Sequence, residues 1–135
     1  MLLHIPNVLT ADELQFCRAT VESAAWADGA ITAGTQSGQV KNNRQLPEDL
    51  PESIRAREVV LAALKRNALF FSAALPKKIY PPLFNRYDGA ANSFGNHIDN
   101  AIRGKAHPDW VRTDLSMTLF LTEPDEYDGG ELVMD

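Results

Sequence analysis

The hydrophobic period of this chain changes once along its length, and that change limits the folds open to it. Through residues 52–75, "ESIRAREVVLAALKRNALFFSAAL", apolar side chains recur at alternating three and four spacing: Leu61, Leu64, Ala68, Phe71 and Leu75. That stripe belongs to a helix, which Pro76 stops. Through residues 113–123, "TDLSMTLFLTE", the period is two. Leu115, Met117, Leu119 and Leu121 share one face, and Ser116, Thr118, Phe120 and Thr122 the other. A helical pattern does not sit still as a strand, nor the reverse. Helices therefore precede an antiparallel run of strands, and the expected class is α+β in one domain over residues 1–135.

The remaining segments fill in that order. Residues 8–26, "VLTADELQFCRATVESAAW", open with Thr10 and Glu13 at capping-box spacing, flanked by Leu9 and Leu14 at the staple positions. Leu14, Cys17, Val21 and Ala24 then fall on one face, so Cys17 is expected as a buried small hydrophobe and not a nucleophile. Residues 26–51 are rich in Gly, Asn, Gln and Thr and suit short strands with loops. "PLFNRYD" reads as a short strand bounded by Pro81-Pro82 and Asp88-Gly89. "EYDGGELVMD" reads as a Gly-Gly turn followed by one more strand, running to Asp135.

Composition narrows the function classes. A net charge of −5 leaves no footprint for nucleic acid. No apolar run approaches membrane-spanning length, and "MLLHIPNVLTADE" shows neither a basic leader nor a cleavage site, so a cytoplasmic protein away from membranes is expected. The single cysteine excludes an internal disulfide and a cysteine-based zinc cluster.

The chemistry centres on His97-Ile98-Asp99, just after the turn-rich "DGAANSFGN". On a strand, residues i and i+2 point to the same face, so both side chains can converge on one cation. A histidine and a carboxylate, joined by a second histidine, occupy one face of an octahedral ferrous ion and leave the other open for co-substrate and dioxygen. Taken alone the pair is a weak signal. With three histidines and 18 acidic residues, chance gives roughly 0.4 His-x-Asp/Glu matches. The chain has two, the other being His107-Pro108-Asp109. Pro108 is out of place in a central strand, so His107 reads as a solvent-facing turn residue. For His97 the residues leave ligand and ordinary polar side chain both open.

The segments "LFNRY", "HIDNAI", "WVRTDLSMTLFL" and "YDGGELV", in this order, resemble the bacterial PKHD-type hydroxylases, in the prolyl-4-hydroxylase-like branch of Fe(II)/2-oxoglutarate dioxygenases. "QVKNN" and "NALFFSAALP" extend the resemblance upstream, over nearly the whole chain. It implies N-terminal helices (residues 1–80, mainly helical support) packed on a double-stranded β-helix, or jelly roll, whose first strands are residues 81–135. His97 and Asp99 match the first histidine and the aspartate of the iron triad. Tyr87 matches a tyrosine beside 2-oxoglutarate. Ser116 and Thr118 are candidates to line the same cavity, and Asn42 and Asn43 are candidates for a pocket or a loop. The implied cofactors are Fe(II), 2-oxoglutarate as co-substrate and L-ascorbate. The implied reaction couples oxidative decarboxylation of 2-oxoglutarate to C–H hydroxylation of a small molecule, amino acid or peptide.

The family's pattern continues past residue 135 with a second iron-binding histidine and a basic residue for 2-oxoglutarate. His4 and His107 are poor substitutes for that histidine. Arg86, Arg103 and Arg112 are cations, but none stands at the family's position. A jelly roll needs about eight strands, and fewer are readable here. The chain is therefore expected to be an N-terminal portion, incomplete as a jelly roll, inactive alone, and prone to form homo-oligomers through open sheet edges. Two other functions stay open: a non-catalytic remnant that binds a partner, and a cupin-like metal-binding or interaction module.

Overall fold

A computed structural model describes residues 2–134. Helix α1, Ala11–Glu22, starts where the capping box expects it. The Thr10 side chain accepts from the Glu13 backbone N–H, and the Glu13 carboxylate accepts from the Thr10 N–H at 2.9 Å. Its inner face buries Cys17 and Val21 against α2, Pro51–Arg66. Small side chains bring the two helices close: Cys17, Ala56 and Ala63 are fully buried, and Cys17 Sγ lies 3.8 Å from the Ala56 carbonyl oxygen. Burial also pushes the Cys17 thiol up, away from the thiolate that a nucleophile needs. Arg66, in the last turn of α2, reaches back with both terminal nitrogens to the Glu13 carboxylate.

The single helix expected over residues 52–75 is two. Asn67 leaves helical geometry (φ −82°, ψ 108°), and its side chain accepts from the Phe70 N–H at 2.8 Å, capping α3, Ala68–Ala74. The break resets the helical face. Phe70 is buried, whereas Phe71 and Leu75, expected on the core stripe, are exposed. An asparagine following Lys65-Arg66 is a helix end and a new N-cap in sequence, and the continuous apolar period conceals it. Leu75 closes α3 in the left-handed region (φ 42°), just before Pro76.

Residues 26–51 hold short strands, as expected. β1 (Ala27–Asp28), β3 (Arg44–Gln45) and β4 (Asn85–Arg86) form an antiparallel sheet in the order β1-β3-β4. β2 (Lys41–Asn42) pairs with β5 (Ser93–Phe94), and β6 (Ile102–Arg103) with β7 (Val111–Arg112), both antiparallel. Leu46 and Phe84 extend the first sheet through a 3.0 Å bond from Leu46 N–H to the Phe84 carbonyl, and both side chains enter the core with Val8, Val60, Leu64 and Phe70. The chain is mixed α+β.

Residues 113–123 differ from the expected strand: they join no ladder among the described residues. Leu119 and Leu121 pack against the core, but Leu115 and Met117 of the same face are exposed, as are Ser116 and Thr118. Alternation gives a segment two faces; a ladder also needs a neighbour, and here none is paired. Gly129 and Gly130 both have positive φ, +81° and +83°, but no backbone hydrogen bond closes the expected turn there among the described residues. The strand expected after it forms no ladder as far as Met134, and Asp135 lies outside the described residues. Among the described residues no helix is long and apolar enough to cross a membrane.

Two tests follow from the packing. Leu64→Ala, at a fully buried position, is expected to lower unfolding free energy by about 2–5 kcal/mol in urea denaturation; a loss within error of zero contradicts the packing. Glu13 is held down to about 2 from 4.5, first by the Arg66 guanidinium and then by the Thr10 N–H. Its depressed folded-state value stabilises the fold above pH 4.5, and that contribution disappears as pH falls towards 2. Melting temperature should fall less steeply across that interval in Glu13→Gln than in the parent; equal slopes count against the linkage.

Candidate metal centre

The β2–β5 ribbon carries the residues that position His97. Lys41 stands opposite Phe94 and Asn42 opposite Ser93, and the Gly95 N–H continues the ladder to the Val40 carbonyl at 2.9 Å. A Cβ on Gly95 would lie 3.1 Å from the Val40 Cβ, so the close approach of the two strands favours glycine there. The turn that feeds β5 is closed by the Asp88–Ala91 bridge and tied to β2 by the Asn42 side chain, which donates to the Ala90 carbonyl at 2.7 Å.

Two residues past the ribbon, the His97 ring stacks on Phe94 with centroids 3.7 Å apart and planes 8° from parallel. Its Nδ1 lies 2.7 Å from the Gly95 carbonyl oxygen. The carbonyl can only accept, so Nδ1 carries the proton and, in the neutral ring, Nε2 presents its lone pair. Nε2 stands 3.3 Å from Asp99 Oδ1. The ring lone pair and the carboxylate oxygen are two donor atoms that one cation could share. Adjacent ligands of an octahedral ion with bonds of about 2.1 Å lie about 3 Å apart, so the donor pair fits one metal ion. Among the described residues no group of three His, Cys, Asp or Glu side chains completes a site.

The expected convergence of His97 and Asp99 is present, but two details differ. Residues 97–100 belong to no ladder, and Ile98, which a strand would turn to the face opposite His97 and Asp99, is 87% exposed. As with residues 113–123, no strand among the described residues pairs with this segment.

No protein-family model matches the chain. Relatives are nevertheless close. It is 58% identical over 139 aligned positions to a PKHD-type hydroxylase of Variovorax paradoxus (strain S110). It is 55% identical over 138 positions to one of Nitrosomonas europaea, and 57% identical over 138 to one of Xanthomonas campestris pv. campestris (strain B100). The chain aligns from end to end with PKHD-type hydroxylases. It spans 60% of the length of each of these relatives.

The other residues singled out for their PKHD-type resemblance are spread more widely. Tyr87, one position beyond β4, is half-exposed, and no described ring contact joins it to His97. Asn43 is buried, donates to Asn85 Oδ1 at 3.4 Å, and fills the space a side chain on Gly29 would need. With Trp26, Asp28, Asn42 and Arg44 it lines a cleft of about 270 Å³. His107 sits in its turn, exposed and edge-on to Trp110. Phe94 and Lys41 escaped sequence reasoning as neighbours of His97. Phe94 precedes His97 by three positions, a spacing that carries no signal until the local bend is known.

The stack on Phe94 is open to measurement. In proton NMR spectra, Phe94→Ala should move the His97 ring protons downfield by removing the phenyl ring current. Unchanged His97 shifts in a folded variant would show that the rings are not stacked in solution.

Proposed function

We propose that the chain carries part of the iron site of an Fe(II)- and 2-oxoglutarate-dependent hydroxylase, with His97 and Asp99 as two of its protein ligands. One observation carries this reading: in a chain aligned throughout with PKHD-type hydroxylases, the Nε2 of a histidine with a protonated Nδ1 faces a carboxylate oxygen at 3.3 Å. When bound, ferrous iron with 2-oxoglutarate supplies the oxidative decarboxylation that drives hydroxylation of a substrate C–H bond. The chain's own residues orient. The Gly95 carbonyl fixes the tautomer and rotation of His97, and Phe94 holds the plane of the ring. Tyr87 belongs, in this reading, beside 2-oxoglutarate, and L-ascorbate keeps the iron reduced.

The jelly roll is part of the same proposal. The short antiparallel ladders and the unpaired alternating segment 113–123 suit a sheet that further strands complete. The reading assigns those strands, the third ligand and the cation for 2-oxoglutarate to the further length of the relatives. The substrate is a small molecule, amino acid or peptide, the protein is cytoplasmic, and self-association proceeds through open sheet edges.

Succinate release, measured with iron and L-ascorbate, tests the proposal. The 135-residue chain is expected to bind Fe(II) weakly and release no succinate, because two ligands do not preorganise the site. A chain extended to the relatives' full length should release it, and His97→Ala and Asp99→Ala should each reduce the rate at least about a hundredfold. Wild-type rates in both variants of the extended chain would sink the assignment.

A further inference from the structure

The exposed face of the first sheet carries a row of charges that the sheet's own pairing leaves unbalanced. Asp28 of β1 stands opposite Arg44 of β3, and Arg44 stands opposite Arg86 of β4. Like charges directly across a ladder repel unless an anion serves both. Asp88 does so unevenly, at 2.7 Å from Arg86 Nε and 4.0 Å from Arg44 Nε. Asp28, on the other flank of Arg44, does not compensate. Its Oδ1 accepts from the Ala30 N–H at 2.9 Å and so caps the 3₁₀ turn Gly29–Thr32. No described cation forms an ion pair with it. A guanidinium short of an anion therefore adjoins a carboxylate without a cation, and the two do not meet.

Both charges line the cleft of about 270 Å³ beside Trp26. Its walls are fixed from behind. The Trp26 indole N–H donates to the Val21 carbonyl at 3.0 Å, which sets the ring, and the turn carrying Ala91 is tied down by the Asn42 bond to the Ala90 carbonyl. Asn43, 3% exposed, backs the wall with an Oδ1 that meets no donor among the described residues. That uncompensated dipole favours positive charge nearby. The cleft is smaller than the roughly 300–1,000 Å³ typical of pockets for drug-sized ligands, so its occupant is small.

We propose that this cleft binds a free α-amino acid as its zwitterion, with the ammonium on Asp28 and the carboxylate on Arg44. Opposed residues of a ladder have Cβ atoms about 4.5–5.5 Å apart, so a ligand carrying both charges on one carbon reaches both partners. The Arg44 fork matches the two carboxylate oxygens. Asp28 Oδ2 takes no part in the cap and accepts from the ammonium, and the indole offers its ring to the ligand's carbon atoms. A ligand with one charge alone leaves the other partner unanswered. The assignment goes beyond the hydroxylase reading and needs no metal, since neither His97 nor Asp99 lines the cleft.

The test uses the 135-residue chain carrying Trp110→Phe, which leaves Trp26 as its one tryptophan. Glycine, added in metal-free buffer at constant ionic strength, should change the Trp26 emission along a saturating curve, and calorimetry on the unsubstituted chain should give the same dissociation constant. Glycinamide lacks the carboxylate and N-acetylglycine lacks the ammonium; each should bind at least about tenfold more weakly. Asp28→Asn keeps the capping oxygen and removes the charge, and Arg44→Gln removes the guanidinium. Each should weaken glycine binding about tenfold with the circular dichroism spectrum unchanged. Absence of saturable glycine binding, either analogue binding as tightly as glycine, or full glycine affinity in folded Asp28→Asn or Arg44→Gln would overturn the assignment. The comparison of the three ligands on the parent chain decides the matter even where a variant unfolds.

Discussion

The contact between α1 and α2 supports everything else in this chain. Cys17 lies against the Ala56 carbonyl, and Ala63 is likewise fully buried, so the helices meet through side chains too small to hold them apart. Close packing of this kind is intolerant of volume change. Glu13 adds a polar clasp at the open end: one carboxylate caps α1 and grips Arg66 of α2. From this platform α2 continues into α3, and Leu46 and Phe84 bring the first sheet down onto the same core.

The candidate site lies one layer further out and inherits its geometry through the β2–β5 register. Lys41 faces Phe94 across the ladder, and Gly95 continues it. A slip of one residue would turn Phe94 to the other face of the ribbon, removing at once the stacking surface of His97 and the ring under the Lys41 ammonium. His97 and the Lys41 ammonium therefore share a single mechanical support, two residue pairs long. So short a ladder is steadied by what flanks it: the Asn42 bond to Ala90, the Asp88–Ala91 bridge and the Gln45 amide behind Lys41.

Much of the helical layer was legible in sequence because its signals are local. The Thr10–Glu13 box, the buried face of α1 and the stop at Pro76 depend on neighbours within a turn or two. The break at Asn67 was hidden because the apolar period runs across it, although a capping asparagine was in view. The strands were harder for a physical reason: alternation in residues 113–123 defines faces, but only a partner turns a face into a ladder. The His97–Asp99 pairing was readable from i, i+2 spacing, whereas the Lys41 ammonium and the Phe94 ring come together only through folding and have no spacing to read.

One ion pair carries a consequence for the order of events in folding. The Arg18 guanidinium and the Glu126 carboxylate are joined by two hydrogen bonds, at 2.9 and 2.7 Å, across 108 positions of sequence. Closing so long a loop has a large entropic cost before any bond compensates it. The segment around Glu126 should therefore dock after the helical pair has formed. Interactions absent from the transition state act on the rate of escape from the native state and leave the rate of reaching it nearly untouched. The Arg18–Glu126 bond is, in that sense, a latch on residence time in the folded form.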